Sequence, residues 1–166
     1  MWTLLESFRQ LTPDELDALT EASVLITILV GTADGILDRE ERTWSERLMR
    51  VRTYNHPKAL NEFYRIVSND FLKKVDAKLA ELPTETERRS QEVARQLGKL
   101  NPILAKLDPE VGADLYKGFI GLAEETAAAS GGFLRIGSVS TVEEQWVNLP
   151  MITPIVAPKE MDTDEE

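Results

Sequence analysis

Asp34, Asp38 and Glu41 place three carboxylates in one short stretch, Ala33-Asp34-Gly35-Ile36-Leu37-Asp38-Arg39-Glu40-Glu41. Carboxylate oxygens are hard ligands, so the chemistry open to this set is to hold a divalent cation such as calcium, magnesium, manganese or zinc. Two further acids extend it. Glu125 follows Glu124 in the last two turns of an expected helix, and Glu143 stands in the second half of the chain where Glu41 stands in the first. Negative charge in a helix's final turn opposes the macrodipole by about 0.3 to 1 kcal/mol per group. A cation near the loops, or a salt bridge from Lys117 or Arg135, would compensate Glu124 and Glu125.

A structural reading competes for the same residues. Asp38 and Glu41 have capping-box spacing, worth about 1 kcal/mol at a helix start, and Asp34-Gly35 is an ordinary turn pair. Capping explains Asp34 least. The stretch also looks like the second half of a calcium-binding EF-hand loop, but in that register the first and third ligand positions are Val30 and Thr32. Six to eight oxygens cannot come from such a loop alone, so a true EF-hand is excluded.

The remaining chemistry-bearing residues point away from catalysis. With no cysteine in the chain, disulfides, thiolate metal sites and cysteine nucleophiles are excluded. The single histidine, His56, lies between Asn55 and Pro57 in an expected turn, and no Ser-His-Asp arrangement can be assembled around it. A binding protein rather than an enzyme is therefore expected. Lys73, Lys74, Arg88 and Arg89, with Lys78 and Arg95, either form the solvated face of helices or dock an acidic protein partner.

Charge divides along the chain. Residues 39–106 hold 15 basic and 10 acidic residues, net +5, which leaves 4 basic and 19 acidic elsewhere, net −15, within an overall charge of −10. That acidic balance argues against general binding to nucleic acid or an anionic membrane surface, both of which need surplus Lys and Arg. The longest apolar stretch, Val24 to Val30, falls far short of the roughly 20 residues that span a bilayer. No signal-peptide pattern opens the chain, so membrane insertion is not expected and a cytoplasmic location is.

Strong helix formers dominate and nothing alternates over a strand's length, so the expected fold is all-α with seven to eight helices. A short helix is expected over Trp2 to Gln10. The next runs from Pro13 to about Gly31, opened by Thr12 and Glu15 as a capping box. Another leads from Asp38 to about Tyr54, with Trp44, Leu48 and Val51 as its buried stripe. Lys58 to Val67 and Asp70 to Leu82 follow, then a helix capped by Thr84 and Glu87 that Asn101-Pro102 interrupts. A long helix from Leu107-Asp108-Pro109-Glu110 to about Ser130 ends at Gly131-Gly132, and Ser140 with Glu143 caps a last short one. Residues 1–150 are expected to form the domain, and 151–166, Pro-rich and then acidic, a disordered tail.

An internal duplication is also visible. Leu11-Thr12-Pro13-Asp14 matches Leu107-Asp108-Pro109-Glu110 at an offset of 96, and Thr32-Ala33-Asp34-Gly35-Ile36-Leu37 matches Ala129-Ser130-Gly131-Gly132-Phe133-Leu134 at 97. Glu41 and Glu143 stand 102 apart, so the second loop is five residues longer. Two helix-loop-helix units packed about a pseudo-twofold axis would bury the apolar faces that neither can bury alone. The paired signatures, Ala33-Asp34-Gly35-Ile36-Leu37-Asp38-Arg39-Glu40-Glu41 and Ala129-Ser130-Gly131-Gly132-Phe133, resemble the tellurite-resistance TerB family over roughly Leu11 to Leu149. That resemblance implies a bacterial, all-helical, pseudo-twofold domain linked to tellurite and stress responses. It implies no enzymatic activity, and metal binding by Asp34, Asp38 and Glu41, with Glu143 corresponding to Glu41. Gly131 stands where a second Asp would be, which speaks against two equal sites.

Overall fold

Thr12 and Glu15 form the expected capping box: the Glu15 amide donates to Thr12 Oγ1 at 3.2 Å and the Thr12 amide to Glu15 Oε1 at 3.0 Å. From it starts the first of the seven helices bounded within the described residues of a computed structural model, which describes residues 6–33, 37, 39–52, 58–130 and 145–158. They are α1 Pro13–Gly31, α2 Arg39–Arg52, α3 Lys58–Ser68, α4 Phe71–Glu81, α5 Thr86–Gly98, α6 Asn101–Leu104 and α7 Pro109–Ser130. Among the described residues there is no strand. The fold is all-α.

Every residue of α1 from Ala22 to Gly31 is buried. A helix enclosed on all sides must be the centre of its domain, and α1 packs most extensively on α7 and also on α3, α4 and α5. Its two buried hydroxyl-bearing residues lie one turn apart, with Thr27 Oγ1 donating to the Ser23 carbonyl at 2.9 Å. Before α1, Phe8 is buried and stacks on Phe63 of α3 with ring centroids 5.5 Å apart. Residues 2–5 of the expected first helix lie outside the described set.

Helices α1 and α7 run in the same direction. Lys106, just before α7, pairs at 2.7 Å with Glu15 in the first turn of α1. At the opposite end Gly31 lies against α7, since a Cβ there would meet Thr126 Cγ2 at 3.6 Å. The segments following both helices therefore leave from one end of the bundle.

In α2 the structure overturns the expected buried stripe. Trp44 is 42% exposed and Val51 47%, and Leu48 is only partly buried. The inward face is instead Glu41, Ser45 and Met49, each four residues from the next and 8%, 2% and 0% exposed. This face meets its surroundings as follows. Arg42 forks onto Asp76 of α4 at 2.7 and 2.8 Å, the Ser45 hydroxyl is satisfied by the Glu41 carbonyl at 2.8 Å, and Met49 fills the core. At roughly 100° per residue, turning Trp44 inward would swing Arg42 to the far side of the helix.

Three other expectations are refined. Between α3 and α4 the break falls at Asn69-Asp70, where Asp70 takes a left-handed φ of 53°. Helix α5 begins at Thr86 with Glu85, not Thr84, as its cap residue and no side-chain bond there, while the Thr84 carbonyl accepts from Arg89 Nη1 at 3.0 Å. Residues 151–155, expected to be disordered, pack together with the end of the domain before them: Leu149 and Ile152 are buried, and Ile155 meets the space beside Gly112 of α7. Asn101 pins this segment by donating to the Met151 carbonyl and accepting from the Thr153 amide, both at 2.9 Å. Two bonds from one half-buried amide group and two buried aliphatics outweigh the prolines. The expected caps Asp38, Ser140 and Glu143 lie outside the described residues.

Candidate functional site

Helix α1 ends in a run of carbonyls that carry the negative pole of its dipole. The Thr32 amide returns to the Ile28 carbonyl at 2.9 Å and the Ala33 amide to the Val30 carbonyl at 3.4 Å, closing the last turn. Beyond it a charged side chain completes the cap. Arg89, reaching from the first turn of α5 and only 7% exposed, donates from Nε to Thr32 Oγ1 at 3.1 Å and from Nη2 to the Thr32 carbonyl at 3.3 Å. Leu37 closes the same corner, its side chain filling the space a Cβ on Gly31 would need.

Of the candidate carboxylates, Glu41 and Glu125 are among the described residues. Glu41 is buried in the first turn of α2, and Glu124 and Glu125 are exposed near the end of α7. Asp34, Asp38 and Glu143 lie outside the described residues. Among the described residues no group of three or more His, Cys, Asp or Glu side chains converges to hold a metal ion.

The four basic residues do not share a surface. Arg89 is inside, capping α1. Lys74 performs a related service for α3, its ammonium donating to the Ile66 carbonyl at 2.9 Å, while burial pulls its pKa down against the pull of Asp70. Arg88 is exposed and lies 3.4 Å from Glu85, and Lys73 is exposed beside a 420 Å³ cleft with Glu46, Arg50 and Asp70. Two of the four are thus helix caps. Spacing carried a signal for Arg89: it precedes the buried Val93 and Leu97 by four and eight residues, on the inward stripe of α5.

What sequence reasoning missed is the outward side of α2. Trp44, Arg39, Glu40, Thr43 and Arg47 line a 280 Å³ cleft. The Arg47 guanidinium stands 6.0 Å from the centre of the Trp44 ring, at the outer limit of a cation–π contact. Val51, two turns on, continues the same outward stripe. The apolar spacing of Trp44, Leu48 and Val51 was legible, but which way it faced was not.

Comparison with protein-family models, with characterised proteins and with solved structures finds no match to this chain. Fold and site define a class, an all-helical protein built around one enclosed helix. No described helix is long and apolar enough to cross a membrane.

Proposed function

We propose that this chain is a non-enzymatic, TerB-like helical module that docks a protein partner on the outward face of α2, within its basic middle region. The observation that carries the reading is the exposed pair Trp44 and Val51, held outward on a helix whose inward side is already filled by Met49 and Ser45. A tryptophan left 42% exposed beside two arginines is the residue pairing that protein interfaces favour at their centres. Among the described residues Arg39 and Arg47 make no ion pair, and Arg47 stands over the Trp44 ring. The test is to immobilise the chain and compare the proteins it retains from extract with those retained by Arg47→Glu and Trp44→Lys. The reading expects the retained set to be lost at an unchanged melting temperature; an identical set would refute it.

A second reading is divalent metal binding by Asp34, Asp38, Glu41, Glu125 and Glu143. One observation favours it: parallel α1 and α7 send both loop segments out at the same end of the bundle. The pseudo-twofold duplication belongs to this reading too, as does the link to tellurite and stress responses that the family resemblance implies. Against it stands Arg89, whose buried guanidinium already supplies positive charge at the end of α1. Thermal unfolding with calcium, magnesium, manganese or zinc against chelator decides, because a ion held only by the native state raises the midpoint. No shift with any of the four, or a shift that survives Asp34→Asn, would remove metal binding at this loop.

A further inference from the structure

Lys74 lies near the start of α4 and caps a helix other than its own. Its ammonium donates to the Ile66 carbonyl at 2.9 Å and lies 3.5 Å from the Val67 carbonyl, so a charge from α4 meets the negative end of α3. Among the described residues no carboxylate forms an ion pair with it. Other lysines are placed differently. Lys78, one turn along α4, is held between Glu21 at 3.2 Å and Glu81 at 3.7 Å, and Lys106 pairs with Glu15 at 2.7 Å. Lys73 borders a different cleft, with Glu46 and Asp70.

Lys74 also lines a 560 Å³ cleft between α1 and α4, whose walls carry Asp14, Asp17, Glu21, Lys78 and Glu81. Small reagents therefore have room beside it. Four carboxylates against two ammonium groups give the cleft a negative balance, which repels an anionic acyl phosphate but not a thioester, uncharged at its reacting end. Burial lowers the Lys74 pKa by desolvating the ammonium, with Asp70 pulling the other way. The neutral amine is the nucleophilic form of lysine, so the same loss of hydration favours attack.

We propose that Lys74 is an acylation site, taking an acyl group from a small thioester that enters the α1–α4 cleft, and that acylation uncaps α3. The ammonium first gives one proton to water. The neutral Nζ then attacks the thioester carbonyl carbon; an N–C bond forms, the C–S bond breaks, and the departing sulfur takes the bonding pair and the proton that Nζ releases. The products are a neutral amide and a thiol. An amide keeps one N–H and no charge, so it cannot serve both carbonyls, and the end of α3 loses its counter-charge. The site is separate from the outward face of α2 and stands whether or not that face docks a partner.

Brief treatment of the full chain with the N-acetylcysteamine thioester of acetic acid, mapped by peptide mass, tests this. In the folded chain Lys74 should gain the acetyl group ahead of Lys73, Lys78 and Lys106, and in urea that order should vanish. Hydrogen exchange at Ser68 and Asn69, at the end of α3, should quicken in the acetylated chain and, without reagent, in Lys74→Gln. Lys74→Arg, which keeps the charge and the donors, should exchange like wild type. Acetylation of Lys73 first, or the same order in urea as in the folded chain, overturns the site. Acetylation at Lys74 first with unchanged exchange at Ser68 and Asn69 overturns the uncapping.

Discussion

Arg89 Nε donates to Thr32 Oγ1 at 3.1 Å across 57 positions of sequence, so the end of the central helix is closed by a guanidinium from α5. Its other nitrogens reach the Thr32 and Thr84 carbonyls at 3.3 and 3.0 Å. Removing it leaves carbonyls and a hydroxyl without their charged donor in a buried setting. Hydrogen bonds to charged groups contribute about 1.5 to 3 kcal/mol each at the upper end of measured values, and they do not sum fully. Arg89→Ala is expected to lower unfolding free energy by about 2 to 4 kcal/mol in urea titration. Arg89→Lys should recover only part, because an ammonium cannot fork between Thr32 and Thr84. An Arg89→Ala chain as stable as wild type would contradict the cap.

Acid should weaken the fold through carboxylates whose pKa the folded state lowers. The Arg42 fork holds Asp76 below the usual carboxylate range, and Lys106 does the same for Glu15. Arg95, with help from Gln96, brings Glu92 to about 2 from an ordinary 4.5. A lowered folded pKa means that the unfolded chain takes up the proton first. The associated stability is present above about pH 4.5 and is lost as pH falls through the folded values toward 2. Asp76 is exposed and Glu15 and Glu92 are half-buried at the surface, where water screens their ion pairs, so each effect is small. Carboxyl resonances followed by NMR should show Glu92 titrating near 2 in wild type and rising toward 4.5 in Arg95→Ala; an unchanged value in the variant would refute the pairing.

The segment 149–155 should behave as part of the core. Ile152 is 2% exposed, and truncating a buried isoleucine to alanine costs about 2 to 5 kcal/mol. Ile152→Ala should fall in that range, and Asn101→Ala should speed amide exchange at Thr153, whose N–H it accepts. Full stability in Ile152→Ala would show that the segment merely rests on the surface.

Much of this was legible in the sequence, and the failures share one cause. Helix starts that depend on local chemistry, such as the Thr12–Glu15 box and Pro109, appeared where they were read, because the capping partners are three residues apart. Orientation was a different matter. Trp44, Leu48 and Val51 form an apolar stripe, but α2 faces the bundle with Met49 and Ser45, in the orientation that also lets Arg42 meet Asp76, 34 residues away. The pair Arg88-Arg89 resembles a solvated basic patch until Thr32, distant in sequence, is brought beside it. Likewise Asn101 converts a proline-bearing tail into an ordered strap. Local spacing sets where helices begin, whereas long-range partners decide which face turns inward. The standing of Asp34, Asp38 and Glu143 rests on their sequence pattern, since they lie outside the described residues.

The outward placement of Trp44 underlies the docking role, and one pair of substitutions tests it. Lysine can lay its aliphatic stem where Trp44 now lies and keep its ammonium in water, whereas at the wholly enclosed Met49 the same ammonium has no route out. In parallel urea unfolding, Trp44→Lys should lose about 1 kcal/mol or less, and Met49→Lys more than about 4 kcal/mol or fail to fold. The opposite ranking, with Trp44→Lys the damaging change and Met49→Lys tolerated, would mean that α2 packs its tryptophan inward and presents no docking face.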